Sequence, residues 1–82
     1  MTGTIFHVNK ERQMFSVITE IGFVVFELID TSELSINDII EGDCTNCGLT
    51  ALFNKTTGNK FSVFIEQIGA TEVSAKKGCF IL

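Results

Sequence analysis

Three short apolar segments at the start of the chain constrain its fold more than any other feature. They comprise residues 4–8, 14–19 and 23–28, and they are separated by the polar residues 9–13 and by Ile21-Gly22. Segments of five or six residues joined this tightly predict three antiparallel strands, each hydrogen-bonded to the next. A parallel arrangement is excluded because it would need a crossover of a dozen or more residues between strands.

The rest of the chain predicts two more strands. Residues 43–54 are expected to form a long fourth strand, with Gly48 at a bulge. Residues 60–68 alternate apolar and polar side chains, as a half-buried strand does, and only Phe64 interrupts the pattern. Residues 30–33 are of the helix-capping type and predict one short helical turn within residues 32–40, after the third strand. The expected fold is all-β, a five-stranded antiparallel Greek-key barrel, of which the oligonucleotide-binding (OB) fold is the best-known example.

The length of 82 residues is enough for one domain with a modest core. We assign residues 1–70 to the barrel and residues 71–82 to a C-terminal tail or an added edge strand. The third strand is apolar on both faces apart from Glu27. This pattern predicts a strand that is covered on both sides or that lies in an interface.

Charge and hydropathy narrow the classes of partner. The net charge is −4, from ten acidic and six basic residues, whereas nucleic-acid binding draws most of its affinity from Lys and Arg. None of the apolar runs is long enough to cross a bilayer, and no signal peptide precedes the first strand. A cytoplasmic location without membrane attachment is therefore expected.

The N-terminal half of the chain resembles the cold-shock domain, a five-stranded barrel that binds single-stranded RNA and DNA. The motifs that carry the resemblance occur in the family's order and spacing: Gly3-Thr4-Ile5 with Asn9, then 12–18, Val25-Phe26-Glu27-Leu28, Ser32-Glu33-Leu34 and Glu41-Gly42-Asp43. The resemblance implies weak single-strand binding, with phosphates at Lys10 and Arg12 and bases stacked on an aromatic platform. The residues it implies for the site are His7, Lys10, Arg12, Phe15, Val17 and Phe26.

The sequence departs from the cold-shock pattern at the binding face. The Trp of the first strand and the glycines of the second-strand motif are missing, and Glu27 would repel phosphate. Compared with the family's pattern, the turn at Lys10–Gln13 can hold one extra residue, which leaves the register of strand two open. Because a one-residue slip exchanges the two faces of a strand, either Phe15 and Val17 or Met14, Ser16 and Ile18 face outward.

A protein-interaction or homo-oligomerisation module on the same barrel is the competing hypothesis, supported by the abundance of apolar residues and the acidic balance. A third hypothesis is a lipidated or metal-binding protein. Lipidation would depend on Cys79 in the C-terminal C-a-a-X sequence. Metal binding would depend on the C-x-x-C pair of Cys44 and Cys47, but a structural zinc site needs four ligands and this pair supplies two. His7 has no nucleophile motif beside it. We therefore expect no enzyme activity, no metal and no cofactor.

Overall fold

The chain forms a closed antiparallel β-barrel with one short helix, in a computed structural model that describes residues 1–80. The elements are β1 (Thr2–Asn9), β2 (Met14–Thr19), β3 (Gly22–Leu28), β4 (Ile39–Glu41), β5 (Gly48–Asn54), β6 (Asn59–Ala70) and α1 (Glu72–Gly78). The strand order around the barrel is β1-β2-β3-β6-β5-β4, and β4 closes it against β1. Three consecutive strands followed by a fourth that returns beside the first make a Greek key. The predicted all-β class and antiparallel Greek-key barrel are confirmed.

The barrel has six strands and not five, because Ile39–Glu41 form an additional short strand, β4. The predicted fourth strand, residues 43–54, corresponds to β5 and is shorter than expected: residues 43–47 lie outside the sheet, and β5 begins at Gly48. The Asp43 side chain accepts a hydrogen bond from the Thr45 backbone N–H at 3.0 Å, which stabilises a turn there. Gly48 has a φ of 118°, a conformation that a residue with a Cβ rarely adopts. The barrel is closed instead by the three-residue β4.

The predicted helical turn within residues 32–40 is wrong. These residues form irregular chain with one turn at Ile36-Asn37, followed by the start of β4. The capping side chains hold turns: Asp30 accepts from the Ser32 N–H at 2.9 Å, and Asp38 accepts from the Ser35 N–H at 3.0 Å. Asp and Ser favour such local bonds as much as helix caps, so the sequence signal was ambiguous.

A bulge interrupts the pairing of β1 with β2. Ile5 pairs with Val17 and His7 pairs with Ser16, so Phe6 is the extra residue. The pairing of β2 with β3 has no such shift and places Phe15 opposite Phe26 and Val17 opposite Val24. The side chains of Phe15 and Val17 point into the barrel.

The interior of the barrel is filled by aliphatic and Phe side chains. The Phe15 and Phe26 rings stack with centroids 5.7 Å apart, and Phe61 lies 6.0 Å from Phe26. The buried members of this core are Ile5, Phe15, Val17, Val24, Phe26, Leu28, Leu34, Ile40, Cys44, Leu52, Phe61, Val63 and Ile65.

The C-terminal segment folds as α1, so an added edge strand is wrong for residues 72–78. Thr71 caps the helix by accepting a hydrogen bond from the Ser74 N–H at 3.1 Å. Ala75 and Cys79 pack with Met14, Phe23 and Val25 in a second, smaller core on the outside of the barrel. The third strand is thus covered on both faces, as its sequence predicted. No helix within residues 1–80 has the length and apolar character needed to cross a membrane.

Candidate interaction surface

Three of the six residues proposed for base stacking and phosphate binding lie inside the barrel. Phe15 is 2% exposed, and Val17 and Phe26 are fully buried. A base cannot stack on a ring that has no accessible face, so their assignment to a stacking platform is corrected: they are core residues. Of the two registers that the sequence left open for β2, the structure adopts the one with Phe15 and Val17 facing inward.

His7 is half-buried on the outside of β1. Its Nδ1 lies 2.6 Å from the Ser16 Oγ, and its backbone N–H donates to the same oxygen at 3.1 Å. The Phe6 and Phe23 rings lie 4.9 and 5.8 Å away. Burial lowers the pKa of His7; the charge of Glu72 opposes this shift and that of Lys76 adds to it. His7 therefore belongs to the polar edge of the α1 contact.

Lys10 and Arg12 are exposed in the turn between β1 and β2, as a phosphate-binding role requires. The Arg12 guanidinium lies over the Phe80 ring at 5.2 Å. The Asn9 side chain donates to the Cys79 carbonyl at 2.7 Å and holds the end of α1 against this turn. However, Glu27 and Glu66 line the same groove as Arg12. The groove is thus of mixed charge and not a positive channel.

Helix α1 covers the outer face of β2 and β3. Met14, Phe23 and Val25 lie beneath the helix and are buried. The Ser74 hydroxyl and the Gln67 side-chain carbonyl, 3.0 Å apart, add a polar contact at the rim. A ligand could reach these strands only after displacing α1.

The three cysteines are free thiols. Cys44 is buried and Cys47 is exposed, so the two do not present a shared ligand pair. Burial raises the pKa of the Cys44 thiol and raises that of Cys79 to about 11. No group of side chains suited to a metal ion occurs within residues 1–80. The C-a-a-X sequence ends in Ile81 and Leu82, which lie outside the described residues.

An exposed apolar surface lies on the outside of β5 and β6. Leu49 and Phe64 are directly paired across the two strands and are 75% and 40% exposed. Phe53, 37% exposed, is paired with Lys60 two rows away. We call this surface the β5–β6 face and define it by its outward residues: Leu49, Ala51, Phe53, Lys60, Ser62 and Phe64.

The sequence contained a signal for this face. Phe64 is the residue that interrupts the alternation of β6, where a polar residue is expected on a solvated side. Leu49, Ala51 and Phe53 repeat with the period of two of a strand face. The sequence alone did not show that these two sets of apolar residues form one surface, because the pairing of Leu49 with Phe64 depends on where β5 begins.

Charges of opposite sign flank the β5–β6 face. Lys60 lies at one end, whereas Glu66 lies at the other, where Glu27 is paired with Phe64. Lys55 and Glu41 form an exposed ion pair of 3.8 Å beside the Lys60 end. An exposed pair of this kind contributes little to stability. Because Lys55 pairs with Glu41, Lys60 is the cation that lies directly beside the apolar side chains of the face.

No protein family, curated protein or solved structure matches this chain. Its function therefore has to be inferred from its own residues and their placement.

Proposed function

We propose that this protein is a non-catalytic interaction module that docks a protein partner on the β5–β6 face. The observation that carries the proposal is the exposed cross-strand pair of Leu49 and Phe64. Contiguous exposed apolar side chains on a small soluble domain mark binding surfaces more often than chance. Because the face lies on paired strands, its side chains are held before a partner arrives, which lowers the entropic cost of docking.

Leu49 is expected to contribute most to docking. Moving a Leu or Phe side chain fully from water to apolar surroundings gains about 1.5–3 kcal/mol. Leu49 is three-quarters exposed and stands to gain most of that amount, whereas Phe53 and Phe64 are already more than half covered. We expect Leu49 to be the anchor and the two Phe side chains to form its surroundings.

A second candidate function is weak binding of single-stranded nucleic acid at the α1 end of the barrel. The specific observation that favours it is that Arg12 lies over Phe80 at the end of α1, which carries Lys76 and Lys77 in its last turn. Lys10 is exposed in the same turn as Arg12. Arg and an exposed ring are a recurrent combination for single strands. The barrel of the OB or cold-shock type that we propose for this chain would be its scaffold.

Nucleic-acid binding is tested by fluorescence anisotropy of labelled oligo-dT and oligo-U at low and moderate salt. Binding at Lys10 and Arg12 would weaken as salt rises, and Arg12→Glu would flatten that dependence. An unchanged anisotropy at low salt would remove this candidate. The label must be on the oligonucleotide because the chain has no Trp or Tyr.

We place the module in the cytoplasm. Its exposed Cys47 and two buried cysteines are all unpaired thiols, as in proteins of reducing compartments.

The interaction proposal is tested by replacing Leu49 with a photo-crosslinking residue such as p-benzoylphenylalanine in cells of the source organism. We expect one or a few discrete adducts after irradiation. Ile36, also exposed but in the connection between β3 and β4, is the matched control position and should give none. Absence of adducts at position 49, or identical adducts at both positions, would refute docking on the β5–β6 face.

A further inference from the structure

We infer that the β5–β6 face binds a second copy of this chain, packed face to face about a two-fold axis that runs across the strands above the Thr50–Val63 pair. The inference rests on the proposed function, since it names the partner of the face proposed there. A two-fold interface must be complementary to itself, so each feature on one side of the axis needs its complement on the other side. The β5–β6 face meets this requirement in charge and in shape.

The charges are placed symmetrically about Val63. Lys60 precedes Val63 by three residues on β6, and Glu66 follows it by three. An axis in the interface plane and perpendicular to the strands reverses strand direction, so Lys60 of one copy lies over Glu66 of the partner subunit. The same pair forms a second time by symmetry. Glu27, paired with Phe64, adds negative charge at the same end.

The side-chain sizes follow the same symmetry. On β6, Ser62 and Phe64 flank Val63, and on β5, Leu49 and Ala51 flank Thr50. Reversal of strand direction therefore places Phe64 over the partner subunit's Ser62 and Leu49 over the partner subunit's Ala51. Facing sheets pack about 10 Å apart, and this spacing requires such alternation of large and small residues.

Other arrangements satisfy the face less well. A two-fold axis parallel to the strands would exchange β5 with β6, placing Phe64 over the partner subunit's Leu49 and Lys60 over the partner subunit's Phe53. The charged groups would then lie against apolar residues, and desolvating them without a partner is costly. A uniformly acidic or basic protein would match only one end of the face.

The size of the face sets the strength of the association. Two neighbouring strands spaced about 4.8 Å apart, with six residues rising about 3.3 Å each, give roughly 200 Å² per copy. Burying roughly 400 Å² in total lies below the range of stable specific interfaces, so the association is weak. We expect a reversible dimer with a dissociation constant of about 1 mM, so that it is a minor species at about 10 µM and a substantial one near 1 mM.

The inference is tested by analytical ultracentrifugation of purified protein over this concentration range. The mass of the natural sequence should rise from 9.0 kDa towards twice that value. Lys60→Glu and Glu66→Lys should each raise the dissociation constant by roughly tenfold, because both ion pairs become like-charge contacts. The double variant should restore dimerisation, since the pair then reforms with its signs exchanged.

Glu11→Lys is the matched control for Glu66→Lys, since it makes the same charge change at an exposed residue in the turn between β1 and β2. It should leave the dissociation constant unchanged. Circular dichroism of each variant checks that the barrel remains folded. A constant 9.0 kDa up to 1 mM, or a double variant no better than the singles, would overturn the inference.

The adducts at position 49 separate this inference from the proposed function. An adduct of twice the chain mass that contains only this sequence supports both. An adduct with a different protein retains the interaction module and overturns the second copy as its partner. No adduct overturns both.

Discussion

Replacing Asn54 by Ala should destabilise the barrel more than any other single polar substitution on β5. Asn54 is 1% exposed, and its side-chain N–H₂ donates to the carboxylate of the buried Asp38 at 2.8 Å. Its carbonyl oxygen accepts from the backbone N–H groups of Thr56 and Thr57. The Asp38 backbone carbonyl in turn accepts from the Ile5 N–H at 3.0 Å. One side chain thus connects β1, β5 and the turn into β6 beside the short β4.

The size of the effect follows from these bonds. A hydrogen bond to a charged group contributes about 1.5–3 kcal/mol, and removing one partner leaves Asp38 buried with less compensation. The two bonds in the exposed turn add less, since water replaces them. We expect a loss of about 3 kcal/mol from a total that is typically 5–15 kcal/mol. For a domain of this size the corresponding fall in Tm is about 12–24 °C.

The assay is urea unfolding followed by far-UV circular dichroism, since the chain lacks Trp and Tyr. The midpoint should fall while the m-value stays constant. Asn59→Ala is the control, because Asn59 faces Asn54 across β5 and β6 but is exposed. A cost below about 1 kcal/mol for Asn54→Ala, or an equal cost for both variants, would refute the role given to the Asp38–Asn54 bond.

Two further predictions concern the α1 contact. At pH 8 one thiol in three, that of Cys47, should react promptly with a thiol reagent, because Cys44 and Cys79 are buried and the pKa of Cys79 is raised to about 11. Ala75→Asp should undock α1 and expose Cys79, so that two thiols react promptly. Val73→Asp, on the exposed side of the helix, should leave one reactive thiol. Equal thiol reactivity in the two variants would contradict the packing of α1 on the barrel. His7 has a lowered pKa in the fold, so the unfolded chain binds more protons, and its contribution to stability is present above about pH 6.5 and lost as the pH falls. His7→Gln should flatten the unfolding free energy between pH 7 and 5.5, and an unchanged slope would show that His7 does not titrate differently on folding.

Much of the fold followed from the sequence because the first three strands are adjacent in the chain. Alternation and short turns determine such hairpins locally, and residues 14–19 were assigned with the bounds of β2. Strand β4 was missed because three residues carry too little pattern to be recognised. Helix α1 was missed because only Ala75 within its seven residues is buried. With a single inward residue, a helix of this length has no apolar stripe to detect.

The predicted site failed for a different reason, which is the period of two of a strand. Alternation alone left either set of β2 side chains free to face outward, whereas in the structure Phe15 and Val17 lie on the inward face, opposite Phe26 and Val24. Lys10 and Arg12 were placed correctly on the surface because turns are exposed in either register.

The two outer faces of the barrel are the reason that we propose protein interaction ahead of nucleic-acid binding. The outer side of β2 and β3 and the β5–β6 face both carry apolar strand residues, where a strand facing water would carry polar ones. The chain covers the face of β2 and β3 with its own helix, at the expense of ordering seven residues and aligning Thr71 as a cap. The β5–β6 face has no such cover among residues 1–80, although Leu49 and Phe64 are as apolar as the Phe23 and Val25 beneath α1. Since one apolar face is covered from within the chain, a partner protein is the consistent cover for the other.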